Sequence, residues 1–308
     1  MVYGSFCLII PTRDRPRDLR ALLHNVSSQK IQPMQIVIID SSAMPQQELV
    51  QEFGDLPIQY LAFQGEPSAA AQRNAGLACV DDDADLIGFV DDDIVFESDA
   101  FEKMLAFWRT APADVCGAAF NLQEEETKAT GGKLKHSGVS RWLGLYDQEP
   151  GAVAPSGWHT RLGAVSENTR VEWLISGAVL WRKQVLLNHQ FDAFFKGYSY
   201  LEDLDFSYSA GRNGQLVVVA DAVFRHHHHH ENLSSDWYCR FGQMEVRNRL
   251  YFVRKHGLSV WRCYLGLCIR FGQTLVEFAV KRQPVLLSRA RGNLAGLWKS
   301  LFMSNPDE

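Results

Sequence analysis

The sequence predicts an α/β protein in which a mostly parallel sheet is flanked by helices and followed by a helical C-terminal extension. Between residues 6 and 108, short apolar runs alternate four times with segments of helical periodicity, which is the pattern of βαβ units. The runs are continuously apolar rather than alternating, so we expect helices to cover both faces of the sheet. Beyond residue 233 long helical patterns replace these runs.

The elements of the first half follow in chain order. Residues 6–12, FCLIIPT, form a short uninterrupted apolar run and predict a buried strand. Residues 15–29 predict a helix because Leu19, Leu22 and Val26 recur at helical spacing. The remaining predictions are strands over 34–42, 58–63 and 86–93, an Ala-rich helix over 67–80, and a helix over 99–108.

The C-terminal segment is predicted to be helical over residues 234–303. A Ser-Ser-Asp cap precedes the first of these helices, which is expected to end at Gly257. The next helix, over 259–284, is apolar on much of its surface. No uninterrupted apolar run reaches 18 residues, so the sequence predicts no membrane-spanning helix.

Composition and charge exclude some classes of protein. The chain has 308 residues and a formal net charge of −5, which excludes a general nucleic-acid binder. Residues 238–308 are basic, with twelve Lys and Arg against four Asp and Glu. Six cysteines without a CxxC pair, and no secretory leader, predict a cytoplasmic location. The basic helices have two open interpretations: peripheral contact with the inner face of the cytoplasmic membrane, or packing against the rest of the chain.

Three of the predicted strands end in polar segments. They are Pro11-Thr12-Arg13-Asp14, Asp40-Ser41-Ser42 and Asp91-Asp92-Asp93. In open α/β sheets ligands bind beyond the carboxyl ends of the strands, so these segments are expected to line one crevice. The acidic triplet has three interpretations at this point: a solvated turn, a cap for the next helix, or a site where a divalent cation neutralises like charges.

The end of the first strand constrains the ligand of this crevice. Neither G-x-G-x-x-G nor a P-loop follows that strand, so a glycine-rich loop that binds phosphates is missing from the sequence there. Mg²⁺ or Mn²⁺ held by carboxylates can bridge phosphate oxygens instead. A nucleoside diphosphate with a divalent cation therefore fits the acidic strand end.

An ordered set of motifs resembles the inverting family-2 glycosyltransferases, which have the Rossmann-like GT-A fold. The set comprises LIIPTRDRPRDLRALLHNVSSQ, IVIIDSS, PSAAAQRNAG, FVDDDIVF, ISGAVLWRKQVL, FDAFFKGYSYLEDLDFSYSAGRNG and VVVADAVFRH. The fourth motif matches the DxD element of the family at Asp91–Asp93. The resemblance implies a catalytic domain over residues 1–232, with a nucleotide-sugar half over 1–120 and an acceptor half over 121–232. The remaining residues, 233–308, would form the helical extension.

The resemblance implies transfer of a sugar from a UDP- or dTDP-sugar, with inversion at the anomeric carbon and Mn²⁺ or Mg²⁺ as cofactor. The acceptor would be a saccharide or a lipid diphosphate, as in bacterial polysaccharide and O-antigen biosynthesis for the cell envelope. Within this class, the helical tail resembles rhamnosyltransferases that use dTDP-rhamnose. Two other classes stay open: a nucleotidyltransferase on a similar sheet, and a catalytically inactive module that binds a sugar nucleotide.

The roles of the donor and metal residues are carried over from the family position by position. Asp93 would ligate the metal, and Asp91 would reach the ribose or the metal. His226, at the end of the motif VVVADAVFRH, would complete the metal site, with His228 as the alternative because alternate residues of an extended chain share a face. The donor site implied by the resemblance comprises Pro11, Thr12, Arg13, Asp40, Arg73, Asn74, Asp91, Asp92 and Gly177.

The catalytic base is expected in the segment YLEDLDFSYSAGRNG. Inverting transfer needs a carboxylate that takes the proton of the acceptor hydroxyl as it attacks. Matching to the family makes Asp203 this base, with Glu202 beside it. The alternative is that these acids only stabilise the N-terminus of a helix through its dipole.

Residues 121–170 are rich in Gly and Ser with scattered aromatic residues, and they are expected to form loops. The resemblance implies that this region and the segment after it face the acceptor. Trp142, Trp158 and Trp173 are therefore candidates for stacking on a sugar ring. For each of them alone, packing in a hydrophobic core is the alternative.

Overall fold

A computed structural model describes residues 4–123, 138–161, 163–226 and 233–302. The chain divides into two compact units. The first unit contains the described residues within 1–128 and 162–228, and the second contains those within 129–161 and 229–308. Residues 138–161 thus group with the C-terminal helices, so the predicted acceptor half over 121–232 contributes to both units.

One mixed sheet forms the first unit. Its strands, over the residues that the structure describes, are β1 (Phe6–Thr12), β2 (Gln35–Asp40), β3 (Ile58–Ala62), β4 (Leu86–Val90), β5 (Ile94–Phe96), β6 (Val115–Leu122), β7 (Thr169–Val171), β8 (Ala178–Arg182) and β9 (Gln215–His226). The order is β3-β2-β1-β4-β8-β6-β9-β5, and β7 pairs with β9. Strands β1 to β4 are parallel, whereas β8 runs antiparallel to both β4 and β6.

The predicted α/β class is confirmed, with helices against the sheet and a helical C-terminal region. The helices are α1 (Pro16–Ser27), α2 (Gln47–Gln51), α3 (Ala69–Leu77), α4 (Ala100–Thr110), α5 (Gly138–Trp142), α6 (Lys183–Leu186), α7 (Glu202–Ala210), α8 (Ser235–Lys255), α9 (Val260–Lys281) and α10 (Pro284–Phe302). The parallel pairing that the sequence predicts holds from β1 to β4. Beyond β4 the pairing is mixed, and β8 needs no crossover helix to reach β4 because it is antiparallel to it.

Hydrophobic clusters on both faces explain why the strands are apolar throughout. Successive residues of β1 alternate between them: Leu8 joins the cluster beneath α1 and α4, which includes Trp108, and Ile9 joins the cluster beneath α3 and α7, which includes Phe206. Because side chains of a strand alternate between faces, a strand buried on both sides carries no polar alternation. The carboxyl ends of β1, β2 and β4 are left to carry the polar residues.

Close packing of α8 against α10 forms the second unit. A Cβ atom on Gly292 would collide with the carbonyl group of Cys239, so the two helices approach through this glycine. Glu245 is buried between them and accepts hydrogen bonds from Arg289 Nη2 at 2.9 Å and Asn293 Nδ2 at 3.1 Å. Burial alone would raise the pKa of Glu245, but the adjacent arginines hold it below its usual value.

The segment 138–161 belongs to the second unit because α8 and α9 contact it directly. The guanidinium of Arg249 lies 4.2 Å from the ring centroid of Trp158 and donates to the carbonyl oxygen of Gly157. The amide of Ser259 donates to the carbonyl oxygen of Pro155 at 2.8 Å. Among the described helices, α9 has a length and a composition compatible with crossing a membrane, and 22% of its most apolar window is buried.

Candidate functional site

The carboxyl ends of three parallel strands lie side by side. Thr12, the last residue of β1, pairs in register with Asp40, the last residue of β2. On the other side of β1, the hydroxyl of Thr12 donates to Asp92 Oδ2 at 2.6 Å, directly after β4. The structure therefore brings together the polar strand ends that the sequence places in one crevice.

The three carboxylates of the triplet have different surroundings. Asp92 is buried, and burial raises its pKa to about 7 although Thr12 and Arg15 favour its charged form. Asp93 accepts a hydrogen bond from Arg15 Nη1 at 2.9 Å. Burial, followed by repulsion from Asp91, raises the pKa of Asp93 above its usual value.

A candidate metal centre is formed by Asp91, Asp93 and His226. Each can place one ligand atom within 4.8 Å of the others, and His226 Nε2 lies 3.3 Å from Asp93 Oδ1. The pairing of β5 with β9 puts His226 opposite Ile94, one residue after the triplet. The two carboxylates suit Mn²⁺ or Mg²⁺, the imidazole suits Mn²⁺ better than Mg²⁺, and the repulsion between the two carboxylates favours a cation there. His228 lies outside the described residues.

Arg15 was not identified from the sequence. Its Nη1 atom lies 2.9 Å from Asp93 and 3.3 Å from Asp92, so a guanidinium borders the cluster. The residue directly precedes α1 and follows the first strand end. The sequence places Arg15 close to the end of the first strand, in the run Arg13-Asp14-Arg15. That run does not show which of the two arginines contacts the acidic triplet.

Arg73 on α3 links the cluster to the acids of α7. Its Nη2 atom lies 2.7 Å from Asp91 Oδ1, and its Nη1 atom pairs with Glu202 Oε1. The guanidinium is buried. Burial raises the pKa of Glu202 to about 7, even though Arg73 favours its charged form. Gly177 is close to Asp91: its carbonyl oxygen accepts a hydrogen bond from the amide of Asp91 at 2.8 Å, and a Cβ atom on it would lie 2.7 Å from Asp91 Oδ2.

The three acids at the start of α7 face different surroundings. Glu202 and Asp205 are buried, whereas Asp203 is half-buried, because residues three apart on a helix share a face and residue 203 lies off that face. Asp203 Oδ1 accepts a hydrogen bond from the amide of Leu204 at 2.7 Å. Burial raises the pKa of Asp203 above its usual value.

Two of the donor-site candidates make hydrogen bonds that fix the local backbone. Asp40 accepts from the hydroxyl of Tyr60 at 2.6 Å and from the amides of Ser42 and Gln46 at 2.8 Å. Asn74 exchanges two hydrogen bonds with the backbone of Phe191, at 2.8 and 2.9 Å. In this structure the two side chains therefore hold the backbone segments 42–46 and 191.

The outer candidates are distributed over the chain. Arg13 is exposed and lies 3.6 Å from Asp14, and Pro11 is half-buried in β1. Trp142 is 82% exposed and Trp158 is buried, and both belong to the second unit. Trp173 is half-buried in the first unit.

Comparisons with known proteins give the family and the fold of the chain. The pattern of glycosyl transferase family 2 matches residues 7–163, half of the chain, so the protein belongs to this family. No curated protein sequence matches the chain. The GT-A fold that the motifs predict is confirmed, because the sheet and its flanking helices resemble those of several solved glycosyltransferases.

Three solved structures illustrate the likeness. TarS 1-349 of S. aureus in complex with UDP-GlcNAc is 14% identical with a TM-score of 0.58, over 91% of this chain and 76% of that one. The mannosyltransferase PcManGT of Pyrobaculum calidifontis, in complex with GDP-Man and Mn²⁺, is 12% identical with a TM-score of 0.56, over 96% and 87%. GalNAc-T7 with UDP, GalNAc and Mn²⁺ is 11% identical with a TM-score of 0.60, over 81% and 47%. The match to the longer TarS chain spans 40% of that chain.

Proposed function

We propose that the protein is an inverting, metal-dependent glycosyltransferase that moves a sugar from a nucleotide-diphosphate sugar to a saccharide or lipid-linked acceptor. The observation that carries this proposal is the cluster of Asp91, Asp93 and His226 at the edge of a GT-A sheet. Arg73 connects this cluster to the acids at the start of α7. Such an arrangement would place a metal-bound diphosphate and a catalytic carboxylate near one reacting carbon.

The donor half of the mechanism rests on Asp91 and Asp93. Their carboxylates, with His226, would hold Mn²⁺ or Mg²⁺, which when bound neutralises charge on the leaving diphosphate. Gly177 leaves room for the carboxylate of Asp91, since a Cβ atom there would lie 2.7 Å from its Oδ2 atom. The nucleoside would lie along Pro11, Thr12 and Arg13, with its base towards Asp40 and the loop that Asp40 fixes. The remaining donor-site candidates would hold this site in place through their contacts with Asp91, Thr12 and Phe191; they are Arg73, Asp92 and Asn74.

The acceptor half of the mechanism rests on Asp203. In its ionised form its carboxylate would take the proton of the acceptor hydroxyl while the oxygen attacks the anomeric carbon from the side opposite the leaving group. The half-buried position lets Asp203 meet an acceptor, whereas buried Glu202 is engaged with Arg73. We assign Glu202 the role of holding Arg73. Trp142, Trp158 and Trp173 stay candidates for acceptor contacts.

The donor is proposed to be a UDP- or dTDP-sugar, dTDP-rhamnose being one candidate. Support comes from the similar structures solved with UDP-GlcNAc, GDP-Man or UDP. For the acceptor we propose a lipid diphosphate in bacterial polysaccharide or O-antigen assembly, at the inner face of the cytoplasmic membrane. The basic charge of residues 238–308 supports this choice.

Calorimetric titration tests the donor site. We would titrate the full chain with UDP, dTDP and GDP, each with Mn²⁺ or Mg²⁺ and again with EDTA. Binding of one nucleotide that needs the metal, and that Asp93→Ala abolishes, is the expected result. The exposed Asp83→Ala is the matched control and should bind as the unmodified protein does. If no nucleoside diphosphate binds in the presence of metal, the glycosyltransferase proposal is wrong.

Product analysis separates the two alternatives. A nucleotidyltransferase would release pyrophosphate from a nucleoside triphosphate, and an inactive module would bind the donor without releasing the nucleoside diphosphate. Metal-dependent release of the nucleoside diphosphate, with the transferred sugar in the opposite anomeric configuration, would support the proposal over both.

A further inference from the structure

Helix α9 exposes a continuous apolar face. Trp261, Leu265, Val276 and Val280 are all exposed, and they recur at spacings that keep them on one side of a helix. From residue 261 to residue 280 this face is about 28 Å long at 1.5 Å per residue. The opposite side of α9 is committed to the second unit, since Cys263, Leu267 and Thr274 are buried there.

Helix α10 exposes a second apolar face. Leu294, Trp298, Leu301 and Phe302 are more than half exposed, and the rings of Trp298 and Phe302 lie 4.9 Å apart. Exposed aromatic side chains grouped in this way are uncommon on a surface that meets only water, and they mark interaction sites.

Basic residues border both faces. Lys281, Arg282, Arg291 and Lys299 are exposed, and the single acidic residue of α9 and α10 in the described chain, Glu277, lies 3.9 Å from Arg270. A shallow cavity of about 580 Å³ at the turn between the helices is lined by Phe278, Ala279, Arg282, Pro284 and Leu287. Its wall is apolar and carries one cation, so apolar surface and positive charge occur together.

We propose that the exposed sides of α9 and α10, here named the basic–apolar face, dock on the surface of an anionic phospholipid bilayer. Apolar and aromatic side chains would enter the boundary between headgroups and acyl chains, while the lysines and arginines meet lipid phosphates. Charge selects this occupant over a second copy of the chain, because self-association would bring basic residues against basic residues.

The bonds of α9 favour a helix that lies on the membrane over one that crosses it. Arg270 lies 3.7 Å from Glu245, and Glu245 is buried between α8 and α10. Crossing the bilayer would break this contact and expose charged groups to hydrocarbon, which is costly. The inference rests on the proposed function in one respect: docking would bring the protein to the membrane that contains the proposed lipid-linked acceptor.

The chain carries a native position for a reporter on this face. Cys268 of α9 is exposed, while Cys7, Cys116 and Cys263 are buried, and burial raises the pKa of each buried thiol. With the half-buried Cys79 and Cys239 replaced by serine, an environment-sensitive fluorophore can be attached to Cys268. Its emission reports whether this face enters lipid.

The experiment mixes the full labelled chain with vesicles of phosphatidylcholine alone or with phosphatidylglycerol. We expect co-sedimentation and a blue shift only with the anionic vesicles, both weakening at high salt. Lys281→Glu with Arg282→Glu should weaken binding by at least about 25-fold, from about fivefold for each positive charge lost, with further weakening from the two negative charges added. Val276→Glu with Val280→Glu should abolish the blue shift.

Matched controls lie in the first unit. Met44 and Leu187 are equally exposed apolar residues, and Lys196 is an exposed lysine, so glutamate at these positions should leave vesicle binding unchanged. Circular dichroism confirms that each variant is folded.

Four outcomes would overturn the inference. The first two are that the protein does not bind anionic vesicles, or that it binds neutral vesicles equally well. The third is that detergent releases the bound protein whereas high salt does not. The fourth is a dimer in sedimentation velocity that Val276→Glu with Val280→Glu abolishes. The nucleotide titration is a separate test. A protein that binds the nucleotide but not the vesicles contradicts only this inference, and a protein that binds the vesicles but not the nucleotide contradicts only the proposed donor site.

Discussion

At the scale of single residues, the acidic triplet is tolerated because cations and hydrogen-bond donors surround it, with Arg15 shared between Asp92 and Asp93. Asp91 lies against Arg73, and Asp93 lies against Arg15 and His226. Asp92 points inward, where burial raises its pKa to about 7 and so reduces the charge that must be balanced near neutral pH. These contacts offset the repulsion between the carboxylates that the sequence suggests. Asp91 and Asp93 are then the two carboxylates of the triplet that could hold a cation.

Replacement of Asp203 tests the catalytic base. We expect Asp203→Asn to lower kcat by about 10²–10⁴, the usual contribution of a general base, while nucleotide binding measured by calorimetry stays unchanged. Because burial raises the pKa of Asp203, the rate of the unmodified enzyme should fall as the pH drops through that raised value. A loss smaller than tenfold would exclude Asp203 as the base.

Replacement of Gly177 tests whether the proposed metal site needs the space beside Asp91. A Cβ atom at this position would lie 2.7 Å from Asp91 Oδ2, so Gly177→Ala must displace that carboxylate. We expect Mn²⁺ affinity to fall by at least tenfold, as is usual when groups that orient metal ligands are changed. Gly163→Ala is the control, since a Cβ atom there meets no atom within 4 Å. Equal Mn²⁺ affinity in both variants would contradict this role.

The pH dependence of stability tests the burial of Glu202. Its pKa is raised from 4.5 to about 7 in the folded state, so the folded state binds the proton more tightly than the unfolded state does. The contribution of Glu202 to the stability of the metal-free protein should therefore be lost as the pH rises from about 4.5 to about 7, so the free energy of unfolding should decrease over this range. Glu202→Gln should reduce this slope in urea unfolding, whereas the exposed Glu48→Gln should not. An unchanged slope in Glu202→Gln would show that Glu202 is not the cause.

At the scale of elements, local patterns predicted β1 to β4, the helices α1, α3 and α4, and the helical C-terminal segment, but not α2, α5 or β7. The run FCLIIPT is β1 without a change of bounds, and the helix predicted over 15–29 is observed at Pro16–Ser27. The antiparallel pairing of β8 was not predicted, because strand direction depends on contacts between distant segments. The bridge from Arg73 to Glu202 spans 129 positions, so neither periodicity nor spacing could reveal it. The family motifs contain both Arg73 and Glu202, without showing the contact that joins them.

The packing of α8 against α10 can be tested at one glycine. In Gly292→Ala the new methyl group would collide with the backbone of Cys239, so the helices must separate. We expect the second unit to lose about 1–3 kcal/mol of stability, the usual cost of overpacking. Gly272→Ala on α9 is the matched control, because a Cβ atom there meets no atom within 4 Å and alanine favours a helix by about 0.5–1 kcal/mol. Thermal unfolding that ranks the two variants equally would contradict this packing.

At the scale of the whole molecule, charge and chemistry are divided between the two units. The candidate metal cluster and the acids of α7 belong to the first unit, while the exposed apolar faces of α9 and α10 belong to the second. The sequence indicated this division through the basic balance of residues 238–308. It did not indicate that residues 138–161 join the second unit, because that depends on contacts such as the one between Arg249 and Trp158.

Calorimetric unfolding tests whether the division holds in solution. Nucleotide with Mn²⁺ at about 100 times its Kd should stabilise the unit that binds it by about 2.7 kcal/mol. For a unit of roughly 150–250 residues this raises Tm by about 5–11 °C. We expect this shift in one transition only, and expect Gly292→Ala to lower the other. Asp93→Ala should remove the shift while leaving the second transition in place. A single transition that moves as a whole under both changes would mean that the two units unfold as one cooperative body.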